Sequence, residues 1–490
     1  IIDTYNLGGK GMKKILFVAS ESVPFIKTGG LADVVGTLPK SFDKNKYDVR
    51  VVLPNYMCID EKYRDDMKDV TSFEMDLSWR YQYVGVKELE LDGVTFYFID
   101  NLFYFTGAKP YGDMQMDIEK FCYFSKAALA ILPAVGFKPD IIHCHDWQAG
   151  LVPVFLKTLF AGQDFYKDIK TVMTIHNLRF QGMTGMDRMM DFTGLHSDLF
   201  ANDKMGSFGC GNMLKGGITF ADKVTTVSET YAEEIQTPYF GEDLDALLRY
   251  RKEDLSGIVN GIDYEAYNPA TDTQIVCEYD ANTFLEGKKE NKMALQKEVG
   301  LPVDADKFVI GIISRLTDQK GLDLVDRVMN EICLQDIQFI ILGTGEYRYE
   351  EMFRYYQDEY PQKVSANIFY SDKLSKMMYA GCDAILMPSL FEPCGLCQLM
   401  ALRYGTVPIV RETGGLKDTV EAYNEKLKTG NGFSFTNYNA HEMLFTIQYA
   451  VRTYNQNRGD WNGIVKAGML KDYSWKHSAK IYEKLYDSMN

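Results

Sequence analysis

Short, almost wholly apolar runs recur along the chain, separated by helical stretches. The first half carries KILFVAS, DVRVVLP, VTFYFID, DIIHCHD, TVMTIH and KVTTVS, and the second half FVIGIIS, QFIILG, NIFYS, AILMPS and VPIVRE. A strand with one wet face alternates apolar and polar residues, whereas a continuous apolar run suits a parallel strand covered on both faces. Strands of that kind alternating with helices predict two doubly wound α/β domains. LSGIVNGIDYEAYNPATD, residues 255–272, is rich in Gly, Asn, Pro and Asp where the first series ends, and reads as the linker. The aromatic YSWKHSAKIYEKLYDSM at the end predicts a terminal amphipathic helix.

Length agrees with this division, since 490 residues exceed what one hydrophobic core organises. The expected parts are a leader over 1–11 with Met12 as the native start, an N-terminal domain over 12–255, a C-terminal domain over 256–472 and a last helix over 473–490. A formal net charge of -15 argues against nucleic acid as the main partner, though not against a small anion held by local cations. No apolar run reaches bilayer length, and IIDTYNLGGKGMKK lacks the order of a signal peptide, so no membrane partner and a cytoplasmic location are expected. Nine scattered cysteines suit a reducing compartment. Cys394 and Cys397 have no second CxxC and no neighbouring histidine, which argues against zinc.

In open parallel sheets ligands bind outside the carboxyl ends of strands, so residues just after strands weigh most. Lys27, Gly29, Gly30 and Asp33 follow ILFVASESVPF; glycines opening a helix let N–H groups approach a phosphate, with Lys27 as a point charge. The plainer reading is a glycine turn with a surface lysine. HCHDWQAG, residues 143–150, puts His145 and Asp146 at a strand end, where they could bond sugar hydroxyls or serve only the core. SRLTDQKG brings Arg315 and Lys320 to the next domain's first strand end, either as a diphosphate clamp or as solvated charges. FEPCGLCQLMAL offers Glu392 before a helix-starting CGL, with the N–H groups of Gly395 and Leu396 facing an anion, or a simple helix cap. Asn260 in the linker, Gly343 in LGTGE and the aromatic face of Tyr370 complete the candidates.

Taken in order, KTGGLADVVGTLP, HCHDWQAG, TIHNLRFQG, GGITFADKVTTVSETYA, GIVNGIDYEAYNPATD, SRLTDQKGLDL and FEPCGLCQLMALRYGTVPIVRETGGLKDTV resemble the bacterial glycogen synthase and plant starch synthase family, from about residue 13 to the C-terminus. The resemblance implies a GT-B fold, two Rossmann-like domains with a deep cleft between them and the last helix crossing back to the first. It implies transfer of glucose from ADP-glucose to the non-reducing end of an α-1,4-glucan, with retention of configuration and neither metal nor other cofactor. By the family pattern Lys27 and the Gly29/Gly30 backbone bind the donor diphosphate, with Arg315 and Lys320 clamping it. The same pattern puts His145 at the reaction centre, Asp117 near the sugar, Glu392, Cys394, Gly395 and Leu396 around glucose and phosphate, Asn260 near the donor and Tyr370 against the adenine. Cys397 stands where threonine is usual, and Met400 where many retaining GT-B enzymes carry a second glutamate. The alternatives are the same fold using UDP-glucose, or a non-catalytic glucan-binding scaffold.

Overall fold

The computed structural model describes residues 11–489, so most of the expected leader lies outside the described residues. The chain divides into two compact units. The first holds the chain up to Val227, Ile235–Ile258 and everything from Trp475; the second holds Ser228–Glu234 and Val259–Ser474.

The first unit is built on β1 (Lys13–Val18), β2 (Tyr47–Pro54), β3 (Lys68–Leu77), β4 (Arg80–Leu91), β5 (Val94–Asp100), β6 (Ile141–His145), β7 (Lys170–Ile175), β11 (Lys223–Thr226) and β12 (Leu255–Gly257). They form one nine-stranded sheet in the order β12-β11-β7-β6-β1-β2-β5-β4-β3. The apolar runs supply the parallel part, in which Phe17 of β1 lies between Val51 of β2 and His143 of β6. Ile15, Leu16, Phe17 and Val18 are wholly buried, as a strand with helices on both sides must be. β3 and β4 extend the sheet as antiparallel strands beyond β5. Neither was expected from the sequence. Met75 and Leu77 are buried while Glu74 and Asp76 face solvent, so β3 alternates and gives no continuous apolar run. A second departure is a small antiparallel sheet of β8 (Met183–Gly185), β9 (Gly206–Ser207) and β10 (Cys210–Asn212), too short to leave a pattern.

From β1 the chain winds outward through β2, then returns to place β6 on the other side of β1. The gap between β1 and β6 is therefore the topological switch point of the sheet, where the loops leaving two neighbouring strands part in opposite directions. The helix Trp475–Asp487 belongs to this unit. The Tyr486 carbonyl accepts from Lys13 Nζ at 2.8 Å and its hydroxyl shares a 2.7 Å hydrogen bond with His143 Nδ1.

The second unit repeats the plan with β13 (Phe308–Ile313), β14 (Ile337–Leu342), β15 (Val364–Asn367), β16 (Ala384–Met387), β17 (Val407–Arg411) and β18 (Phe433–Phe435). All pairings are parallel, in the order β15-β14-β13-β16-β17-β18. Its switch point lies between β13 and β16, so the sequence expectation of a parallel sheet in each half agrees with both units.

Candidate active site

In the first unit the loop after β1 carries the KTGGL string. Lys27 Nζ pairs with Asp33 Oδ1 at 2.8 Å, with the lysine side chain 39% exposed. Gly29 precedes the helix Gly30–Thr37, and a Cβ added to it would meet no protein atom within 4 Å. Packing therefore does not require glycine there, and the bare backbone stays open to a ligand. Thr28 is held by Glu21, which accepts from the Thr28 N–H at 2.5 Å and the Thr28 hydroxyl at 2.9 Å. The Tyr111 hydroxyl donates to the same carboxylate at 3.0 Å. Burial pushes the Glu21 carboxyl above its ordinary range, against the pull of these donors. Sequence reasoning missed Glu21 and Tyr111, since neither stands in a glycine turn or directly at a strand end.

Across the switch point, β6 ends on His145. His143 and His145 point to one side of the strand with ring centroids 4.3 Å apart, but their surroundings differ. His143 is saturated by Tyr486 and, at 2.5 Å, by Thr174 Oγ1. His145 Nδ1 shares a 3.0 Å hydrogen bond with His176 Nε2, while His145 Nε2 is buried with no partner in the protein. Burial lowers all three imidazoles, His143 and His176 to about 3, so each is neutral near pH 7. A neutral imidazole with one unoccupied nitrogen is suited to a hydroxyl. His176 also escaped the sequence reading, although it directly follows β7 as His145 ends β6.

Asp146 follows at φ 56° and ψ -176°, a conformation side chains avoid. Its Oδ1 accepts the His176 N–H at 2.7 Å, and burial raises the carboxyl to about 7. Asp117 stands in the first turn of the helix Met114–Ala134, where its carboxylate takes Lys120 Nζ at 2.5 Å and the N–H of Gly112 at 2.9 Å, the residue after the Tyr111 that bonds Glu21.

In the second unit the loop after β13 exposes Arg315, and Lys320 turns back to Glu392, with Nζ 2.7 Å from Oε2. Glu392 comes from the loop after β16, so this pair bridges the second switch point. Ser389 Oγ donates to the same carboxylate oxygen at 3.0 Å. Cys394 is buried next to Asn260, whose N–H reaches the sulfur, while Asn260 Oδ1 and Ser314 Oγ are buried without protein partners. Gly343 closes β14 where a Cβ would collide with the Ser314 carbonyl. Gly395 has φ +74°, and Leu396 precedes the helix Cys397–Arg403. Tyr370 is 82% exposed beyond β15. Burial raises the thiols of Cys394 and Cys397 to about 12 and about 11, so both stay protonated at neutral pH. Among the described residues no three His, Cys, Asp or Glu side chains are grouped to hold a metal ion.

TGGL occurs twice, at 28–31 and 413–416. The second copy repeats the first one's contact, for Glu234 accepts from the Thr413 hydroxyl at 2.9 Å and the Gly414 N–H at 3.1 Å.

Each switch point thus carries at least one cation and a buried polar atom without a protein partner. Residues 14–250 match the starch synthase catalytic domain family, and residues 296–459 match glycosyl transferases group 1. A glycogen synthase of Lachnospira eligens is 62% identical over 478 residues, covering 98% of this chain and all of that protein. The chain belongs to the glycogen synthase and starch synthase family. It is therefore a glycosyltransferase of glycogen synthesis. A more distant member, the glycogen synthase of Geobacillus stearothermophilus, is 48% identical across 97% of this chain and 98% of its own length. The solved catalytic domain of starch synthase IV from Arabidopsis thaliana, bound to ADP and acarbose, superposes with a TM-score of 0.91 at 33% identity, covering 98% of this chain and 99% of that one. A sucrose-phosphate synthase from Thermosynechococcus elongatus shares the fold alone, with a TM-score of 0.61 at 17% identity. These relationships agree with the expected GT-B class. Among the described residues no helix is long and apolar enough to cross a membrane.

Proposed function

We propose that this glycogen synthase family member transfers glucose from ADP-glucose to the non-reducing end of an α-1,4-glucan with retention of configuration, releasing ADP without a metal. One observation supports the residue assignment: in each unit the loops at the sheet's own switch point bear cations, Lys27 in the first and Arg315 and Lys320 in the second, and each unit has buried polar atoms that lack protein partners, His145 Nε2 in the first and Asn260 Oδ1 and Ser314 Oγ in the second. Breaking the glucosyl bond leaves negative charge on the ADP phosphate and positive character on the sugar, so cations belong at the leaving group. Lys320 and Arg315 take that charge, and Lys27 with the Gly29 and Gly30 backbone holds the diphosphate. Lys320 trades part of its pairing with Glu392 for phosphate, which frees carboxylate character toward the glucose. His145 offers its unpartnered Nε2 to a sugar hydroxyl, with His176 fixing its ring. Asp117, held by Lys120 and the Gly112 N–H, is the carboxylate near the sugar, and Asp146, next to His145 and anchored on the His176 N–H, is a second carboxyl in the same unit.

No hydrolase-like pair of carboxylates is needed, since the leaving phosphate takes the acceptor's proton on the same sugar face. Asn260 Oδ1 and the N–H groups of Gly395 and Leu396 serve the donor, and the exposed ring of Tyr370 offers a face to adenine. The test is transfer to glycogen from ADP-glucose and UDP-glucose in parallel, in EDTA. Elongation from ADP-glucose alone is expected. Elongation only from UDP-glucose would replace the donor, loss of activity in EDTA would overturn metal independence, and ADP release without elongation would replace the acceptor with water.

A further inference from the structure

Ser228–Glu234 lies in sequence between parts of the first unit, yet it belongs to the second. Ser228, Thr230 and Glu234 reach the loop after β16 and the helix Gly414–Thr419 there. Ser228 Oγ donates to the Pro393 carbonyl at 2.6 Å, and Thr230 gives both its N–H and its hydroxyl to Asp418, at 3.0 and 2.5 Å. Glu234 holds Thr413 and Gly414. The next N–H, of Gly415, goes to the carbonyls of Glu392 and Pro393, at 3.2 and 3.1 Å. Gly414 and Gly415 lie so close to that loop that a Cβ on either would strike the backbone of Glu392 or Cys394. Displacement of the TGGL turn is therefore passed directly to the loop that carries Glu392.

We propose that Ser228–Glu234 is a positioning strap for the glycosyl-transfer site, with Glu234 setting the place of Glu392 and Cys394 through Gly414 and Gly415. The first unit supplies an independent parallel, because its own TGGL string is fixed by a buried glutamate through the same threonine. There Glu21 lies seven positions before Thr28, whereas Glu234 comes from 180 positions before Gly414. A glutamate recruited from so far along the chain orders the turn without being part of it.

The inference rests on the proposed glucosyl transfer, and its test separates the two. Full-length Glu234→Ala, Glu234→Gln and Thr230→Val are compared with the wild type for kcat, for KM with ADP-glucose and glycogen, for melting temperature and for amide hydrogen exchange. Glu234→Ala is expected to lose about ten- to a hundredfold in kcat, the scale of a small misplacement at a reacting centre, with KM for glycogen unchanged. Glu234→Gln keeps an oxygen for the Gly414 N–H and is expected to recover most of that loss. Exchange is expected to quicken in both 413–416 and 392–396. A folded Glu234→Ala enzyme with wild-type kcat, or faster exchange in 413–416 with none in 392–396, would overturn the strap, as would a glutamine variant no better than alanine. If Glu234→Ala does not fold, Thr230→Val carries the same comparison. If the wild type transfers no glucose, the functional reading fails, and exchange at 392–396 alone decides the strap.

Discussion

Lys320 and Glu392 are paired at the edge of water, with side chains 18% and 9% exposed. Losing one leaves the other poorly solvated, a penalty absent from ordinary surface pairs. Lys320→Ala is therefore expected to lower transfer at least ~100-fold, the scale of removing one charge-stabilising donor, while circular dichroism still reports a folded chain. Asp146 gives a different signature. Its folded carboxyl, near 7, lies above the ordinary aspartate value near 3.8, so the native state keeps a proton that the unfolded chain releases. The stabilisation from that proton is complete below about pH 4 and lost as pH rises through about 7, on the order of a few kcal/mol in all. Asp146→Asn removes this dependence, so the melting temperature of the variant relative to wild type should rise from pH 5 to pH 8. A constant difference would show that Asp146 ionises freely in the fold. At this scale the cations were legible, because a lysine or arginine after a strand announces itself by type and place. Glu21, His176 and Glu234 were not, since each acts by a hydrogen bond to a turn or ring that only the folded chain brings near.

Among the elements, the strands that the sequence reveals are those buried on both faces, and they are also the strands whose ends carry the candidate residues. β1, β6, β13 and β16 read as continuous apolar runs, so the four loops at the two switch points are legible in the sequence. β3, β4 and the small β8-β10-β9 sheet could not, and they carry no candidate residue. Gly343 ties strand to site at one atom. A side chain there meets the Ser314 carbonyl, one residue before Arg315. Gly343→Ala is expected to cost about 1–3 kcal/mol through overpacking and to weaken ADP binding by displacing the Arg315 loop, measurable together by thermal melts and calorimetric titration. Unchanged ADP affinity in a destabilised variant would separate the glycine's packing role from the donor site.

Across the whole molecule, sequence order and structural membership disagree. The chain passes from one unit to the other after Val227, Glu234, Ile258 and Ser474. Ending it at Ser474 would remove Tyr486, which His143 bonds, together with Tyr482, both almost wholly buried. That truncation is expected to lower the melting temperature of the first unit and to expose trypsin sites within 11–227, read by mass spectrometry of the fragments. Protection equal to the full chain would mean the last helix is dispensable. The same feature sets an order of events during synthesis. His143 leaves the ribosome long before Tyr486 has been translated, so the first unit to emerge can complete its packing only after the second has been made.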